Sequence, residues 1–147
     1  MSGVPAYVAA FEQMRPAVLT RLLEVRGSLD HAIARTKDDE ARALFEAVLH
    51  ALSTLLVTGD HTLHRGFLQS FIALRGAEGL GPDHAQRLLV AIGDVAGQIA
   101  RAQFPDEPTV ALAVNHASRI TARMVNDIIA EELGRRLAQL PAGAVRR

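Results

Sequence analysis

The 147 residues suffice for one domain with one sizeable core, and 49% of them are hydrophobic against 22% charged, a balance that argues against disorder. Lys and Arg together equal Asp and Glu at 16 each, so bulk charge favours neither nucleic acid nor an anionic membrane as a partner. The lack of cysteine excludes disulfides, thiolate catalysis, Cys-ligated zinc and iron–sulfur clusters together.

No basic and apolar leader opens the chain and no apolar run of membrane-spanning length follows, so a cytoplasmic protein is expected. Residues 1–147 are expected to form a single helical domain, with flexible ends at 1–4 and 141–147. Pro5 suits the first turn of an opening helix, where its missing N–H is of no consequence. Tyr7, Phe11, Met14, Val18, Leu22 and Val25 then recur at helical spacing. Pro16 should kink that helix or divide it into two pieces, Gly27 should end it, and Ser28 should cap a short follower carrying Leu29 and Ile33.

Thr36 stands before Lys37, Asp38, Asp39 and Glu40, a hydroxyl cap followed by acids that suit the positive end of a helix dipole. Leu44, Phe45, Val48, Leu49, Leu52, Leu55 and Leu56 give the next helix a broad apolar face, expected at the centre of the fold. Gly59 suits a left-handed C-cap and Asp60 the N-cap of a third helix at about residues 61 to 75. Gly76, Gly79, Gly81 and Pro82 mark the clearest break. From Pro82, Ala85, Leu88, Leu89, Ile92, Val95, Ala96 and Ile99 make an amphipathic stripe. Gly93 and Gly97 lie four apart on it, where another helix can approach closely. The short link Phe104–Pro108 sets the next helix antiparallel.

That last helix, 108–140, would span about 50 Å at ~1.5 Å per residue, longer than a core of this size needs. Val110, Val114, Ala117, Thr121, Met124 and Ile128 keep a 4-3-4-3-4 spacing; Val125, Ile129, Leu133, Leu137 and Leu140 form a second row. One row can face the domain and the other a partner. A homodimer is therefore expected, with Leu89, Gly93, Gly97, Val114, Ala117, Thr121, Met124 and Ile128 at its seam.

Candidate chemistry is sparse. His61 and His64 are three apart on one helical face beside Asp60, a spacing that can supply two metal ligands where a closed site needs more. No Glu-x-x-His, His-Glu-x-x-His or Gly-x-Ser-x-Gly occurs, so neither a metal centre nor an enzyme is expected. The glycine-rich turn at 76–81 follows a helix and lacks the Gly-Lys-Ser/Thr ending of a phosphate loop. A globin would need a proximal histidine on an additional helix, and the segment from Arg75 to Gly81 is too short to hold one. No cofactor is expected. The alternative to an interaction domain is a binder of a small apolar ligand, or less readily of haem, seated among Phe45, Leu49, Phe67 and Phe71.

The order is bent helix, broad core helix, short helix, then a long antiparallel pair. With stretches such as L-H-R-G-F-L-Q-S-F-I-A-L-R-G-A-E-G-L and A-I-G-D-V-A-G-Q-I-A, it resembles the haem-free, globin-like sensor domains of RsbR-type stressosome proteins. The resemblance covers residues 38–140 and lies in pattern, with no functional residue matched one to one. It implies an all-α, five- or six-helix globin-like bundle with a long C-terminal helix. It also implies a dimer through the last two helices and signalling to an output protein. In that family the final helix continues into an output domain, whereas this sequence stops at Arg147. A stand-alone sensor, or a chain cut before its output module, is the matching expectation.

Overall fold

Helical periodicity dominates the sequence, and the elements follow it. The structure, a computed structural model, describes residues 5–77 and 81–139. The ends expected to be flexible (1–4 and 141–147), Gly79 of the glycine-rich turn and Leu140 of the second row lie outside the described residues. In chain order the elements are α1 (Ala6–Leu29), the one-turn α2 (His31–Ala34), α3 (Asp38–Thr58), α4 (His61–Ala77), α5 (Pro82–Gln103) and α6 (Pro108–Gln139). Among the described residues there is no strand, and the fold is an all-α bundle.

Most helix ends sit where turn chemistry places them. Gly59 has φ +63° and sends its N–H to the Leu55 carbonyl at 2.8 Å, a left-handed cap that a side chain would strain. Asp60 then accepts the Leu63 N–H on Oδ1 at 3.0 Å and starts α4. Two ends differ from expectation. Gly27 does not stop α1, which runs on to Leu29; the Ser28 hydroxyl donates back to the Val25 carbonyl at 2.8 Å rather than capping a follower. The break comes at Asp30, whose extended backbone leads into α2. At α3 the N-cap position is Lys37, not Thr36, although the three acids do occupy the first turn.

The core is made by α1, α3, α5 and α6, with Phe11, Met14, Leu22, Phe45, Leu49, Leu88, Ile92 and Val110 fully enclosed. Among the described helices α3 is long and apolar enough to cross a membrane, and its apolar side is this core. The α5–α6 pair is the most extensive contact in the fold. The residues expected at a dimer seam are covered within a single chain: Leu89, Gly93, Gly97, Val114, Ala117, Thr121 and Ile128 are buried and Met124 is half-buried. The seam is thereby corrected to an intramolecular one. Gly93 and Gly97 of α5 meet Ser118 and Asn115, while Thr121 of the first row meets His64 of α4, so the domain itself covers that row and a partner cannot use it.

Gly93 and Gly97 explain how closely the pair approaches. A methyl group at Gly93 would stand 2.7 Å from Ser118 Cβ, and one at Gly97 would stand 2.7 Å from Asn115 Oδ1. Ser118 Cβ is fixed to the α6 backbone, whereas the Asn115 amide can swing aside. Alanine favours a helix over glycine by ~1 kcal/mol, so Gly97→Ala should be near neutral or stabilising. Gly93→Ala forces the helices apart and should cost about 1–3 kcal/mol by overpacking. Equal melting temperatures for the two variants would show that the helices are not held this close.

Candidate functional site

Three places on this scaffold gather polar or exposed apolar groups. The first is the corner between α1 and α2. Asp30 follows α1 directly, and its side chain is 2% exposed. Both carboxylate oxygens lie 2.8 Å from His84 Nδ1, and Oδ2 also accepts from Arg87 Nε and Nη2 at 3.2 and 3.1 Å. A ring nitrogen that close to a carboxylate carries its proton and donates. The 3.0 Å approach of Arg87 Nη2 to the same Nδ1 is then no hydrogen bond. The cluster ties the α1–α2 corner to α5. Sequence reasoning missed it, because Asp30 lies 54 and 57 positions from its partners. The one available signal was that His84 and Arg87, three apart, share a face of the first turns of α5.

The second place is where α4 meets α6. His64 is buried and its Nε2 is 2.7 Å from Thr121 Oγ1. The threonine hydroxyl donates to the Ala117 carbonyl at 2.9 Å, so Nε2–H is the donor to Thr121. Burial lowers the His64 pKa from the ordinary imidazole value, nearby His61 adds to the effect, and the Ala51 carbonyl opposes it. The neutral ring is thus favoured in the folded state. Its contribution is fully present above the unfolded pKa of about 6.5 and is lost as pH falls through the window down to the folded value. Between pH 7.5 and 5, wild-type protein should lose more thermal stability than His64→Leu. Parallel losses would show that His64 titrates alike in the folded and unfolded chain.

His61, by contrast, is exposed and lines an open cleft of about 310 Å³ with Tyr7, Leu55 and His116. The two candidate ligands therefore diverge, one turned into the core and the other lining a surface cleft. Among the described residues no three His, Asp or Glu side chains gather where they could hold a metal. The expected ligand pocket is also corrected. Phe45, Leu49 and Phe71 are packed core, and only Phe67 borders an open space. That space is an α3–α4 groove of about 640 Å³ that also exposes His50, Thr54, Thr62 and Ser70. An apolar side chain filling a core and one lining a cavity leave the same mark in a sequence, which is why the two were confused.

The third place is the distal part of α6. Pro82, the first residue of α5, lines one groove with Ile128 and Ile129. Beyond that point, 130–139 is exposed apart from half-buried Glu132. The groove, about 570 Å³, is floored by Ile72, Ala73, Ile128, Ile129 and Leu133 and rimmed by Glu131, Glu132, Arg135 and Arg136. The second apolar row of α6 thus divides: Val125 is buried and Ile129 half-buried, while Leu133 is 54% and Leu137 64% exposed. Arg65 of α4 holds Glu131 at 2.7 Å, and Glu132 accepts from Arg135 at 2.6 Å and Arg136 at 3.1 Å. Those two arginine bonds lower the Glu132 pKa from its ordinary value. The surface offers apolar area with a ready-made charged rim, and no described group on it is placed for covalent chemistry. No protein-family model, curated protein or solved structure matches the chain.

Proposed function

We propose that this chain is a non-enzymatic helical signalling or protein-interaction domain of the cytoplasm that works as a homodimer. Its pairing surface is the distal part of α6. The observation that carries the reading is the exposure of Leu133 and Leu137 on a helix that runs past the start of α5, beside an apolar groove. Exposed apolar side chains grouped beside a groove with a polar rim have the composition of a contact surface. The resemblance to globin-like stressosome sensor domains points the same way, toward a module whose final helix passes a signal to an output protein.

Sedimentation tests the reading directly. Wild-type protein should run as a dimer at tens of micromolar. Leu133→Asp/Leu137→Asp should run as a monomer with unchanged helical circular dichroism, because both positions are solvated in the single chain. A monomeric wild type at that concentration ends the homodimer reading. The α3–α4 groove, with Phe67 beside five polar side chains, favours a second reading as a small-molecule binder. A stoichiometric ligand seen by native mass spectrometry would support it.

A further inference from the structure

The order of charges on the exposed turns of α6 bears on how two copies meet, given the homodimer reading on which their meeting rests. From Glu131 to Arg136 the chain reads Glu-Glu-Leu-Gly-Arg-Arg. Acids lie on one side of the Leu133–Gly134 step and bases on the other. Reversing the direction of such a helix exchanges acids for bases. A parallel neighbour in register would set acid beside acid and base beside base. An antiparallel neighbour that meets the helix at Gly134 sets Arg135 of one copy beside Glu131 of the other, twice, by symmetry, while Glu132 and Arg136 lie on the opposite face.

We propose that the distal part of α6 pairs antiparallel with the same segment of a second copy of this chain, across a two-fold axis beside Gly134. Leu133 and Leu137 are covered at the crossing. Three observations support this occupant over an unrelated partner. The charge order is self-complementary under the two-fold. Two exposed apolar side chains, Leu133 and Leu137, lie on the same two turns as those charges. Finally, no described atom beyond its own helix turn lies within 4 Å of the position a Gly134 Cβ would take, so another helix can come close at the axis.

The glutamates are already engaged within one chain, Glu131 with Arg65 and Glu132 with Arg135 and Arg136. Pairs of this exposure contribute little to stability. Their exchange for intermolecular pairs is therefore easily made, and its effect is on orientation more than on affinity. The leucines supply the attraction and the charges choose the direction.

The test uses two charge variants and two cysteine variants of the cysteine-free chain. Glu131→Arg and Arg135→Glu each turn the flanking pair to one sign. Matched pairs add little, but each variant sets like charges side by side across the axis and should dimerise roughly tenfold more weakly than wild type at low salt; an equimolar mixture should recover wild-type affinity. Ala130→Cys and Ala138→Cys flank Gly134 at equal distances. Under mild oxidation, a mixture of the two should form a disulfide-linked heterodimer that neither variant forms alone. Cross-linking of either variant with itself, or no cross-link in the mixture, overturns the antiparallel geometry. So does a wild-type dimer indifferent to both charge variants. If the Leu133→Asp/Leu137→Asp variant is monomeric in that case, the pairing surface stands and only its geometry falls. A monomeric wild type removes both.

Discussion

Replacing Val114 by glutamate is expected to unfold the chain rather than to separate two copies. Val114 is 1% exposed and sits in the core cluster between α6 and its neighbours. The substitution removes about 1.5–3 kcal/mol of apolar burial and sets a carboxylate among apolar neighbours. Such a group either stays charged at a cost of several kcal/mol or takes up a proton through a raised pKa. Against a total stability of ~5–15 kcal/mol, the loss is a large share. Circular dichroism should show lost helix at 25 °C, or a melting transition many degrees lower. Ile128→Glu should be milder, because Ile128 also borders the groove rimmed by Arg135 and Arg136 and a longer side chain can reach toward them. A folded, fully helical Val114→Glu monomer would mean that the first apolar row of α6 meets a partner after all.

The local signals were legible and the long-range ones were not. Gly59, Asp60, Pro82 and Pro108 announced their turns, because each acts through its own backbone or its nearest neighbours. The wide apolar face of α3 announced the core for the same reason. How far along α6 each apolar row stays covered was hidden, since Val114 and Leu133 differ in nothing that a sequence displays. Only the length of α5 decides the matter. It ends its partnership near Ile129, and the leucines beyond are left in solvent. Gly93 and Gly97 were correctly marked as a point of close approach, but the approaching helix belongs to the same chain. Asp30 looked like an ordinary loop acid. Its burial depends on α5 arriving with His84 and Arg87, a fact of tertiary packing.

That corner should respond unequally to the loss of its two sides. His84→Ala/Arg87→Ala leaves the Asp30 carboxylate, 2% exposed, with neither of the two donors that neutralise it from α5. Removing the partners of a buried charge costs about 3–5 kcal/mol. Asp30→Asn keeps the shape of the side chain and an oxygen to accept from His84 Nδ1. The groups it leaves behind are hydrated, since the Arg87 side chain is 55% exposed and that of His84 34%. The cost should then be closer to one net hydrogen bond, about 1 kcal/mol. Arg87→Ala alone should also be mild, because a half-exposed guanidinium is well screened. The distinguishing result comes from combining the changes. Asp30→Asn added to His84→Ala/Arg87→Ala should restore stability, because it removes a buried charge that has lost both donors from α5. Denaturant midpoints at pH 7 for the single, double and triple variants measure this. If the triple variant is less stable than the double, Asp30 matters as a backbone organiser of the α1–α2 corner and not as the charge that α5 holds.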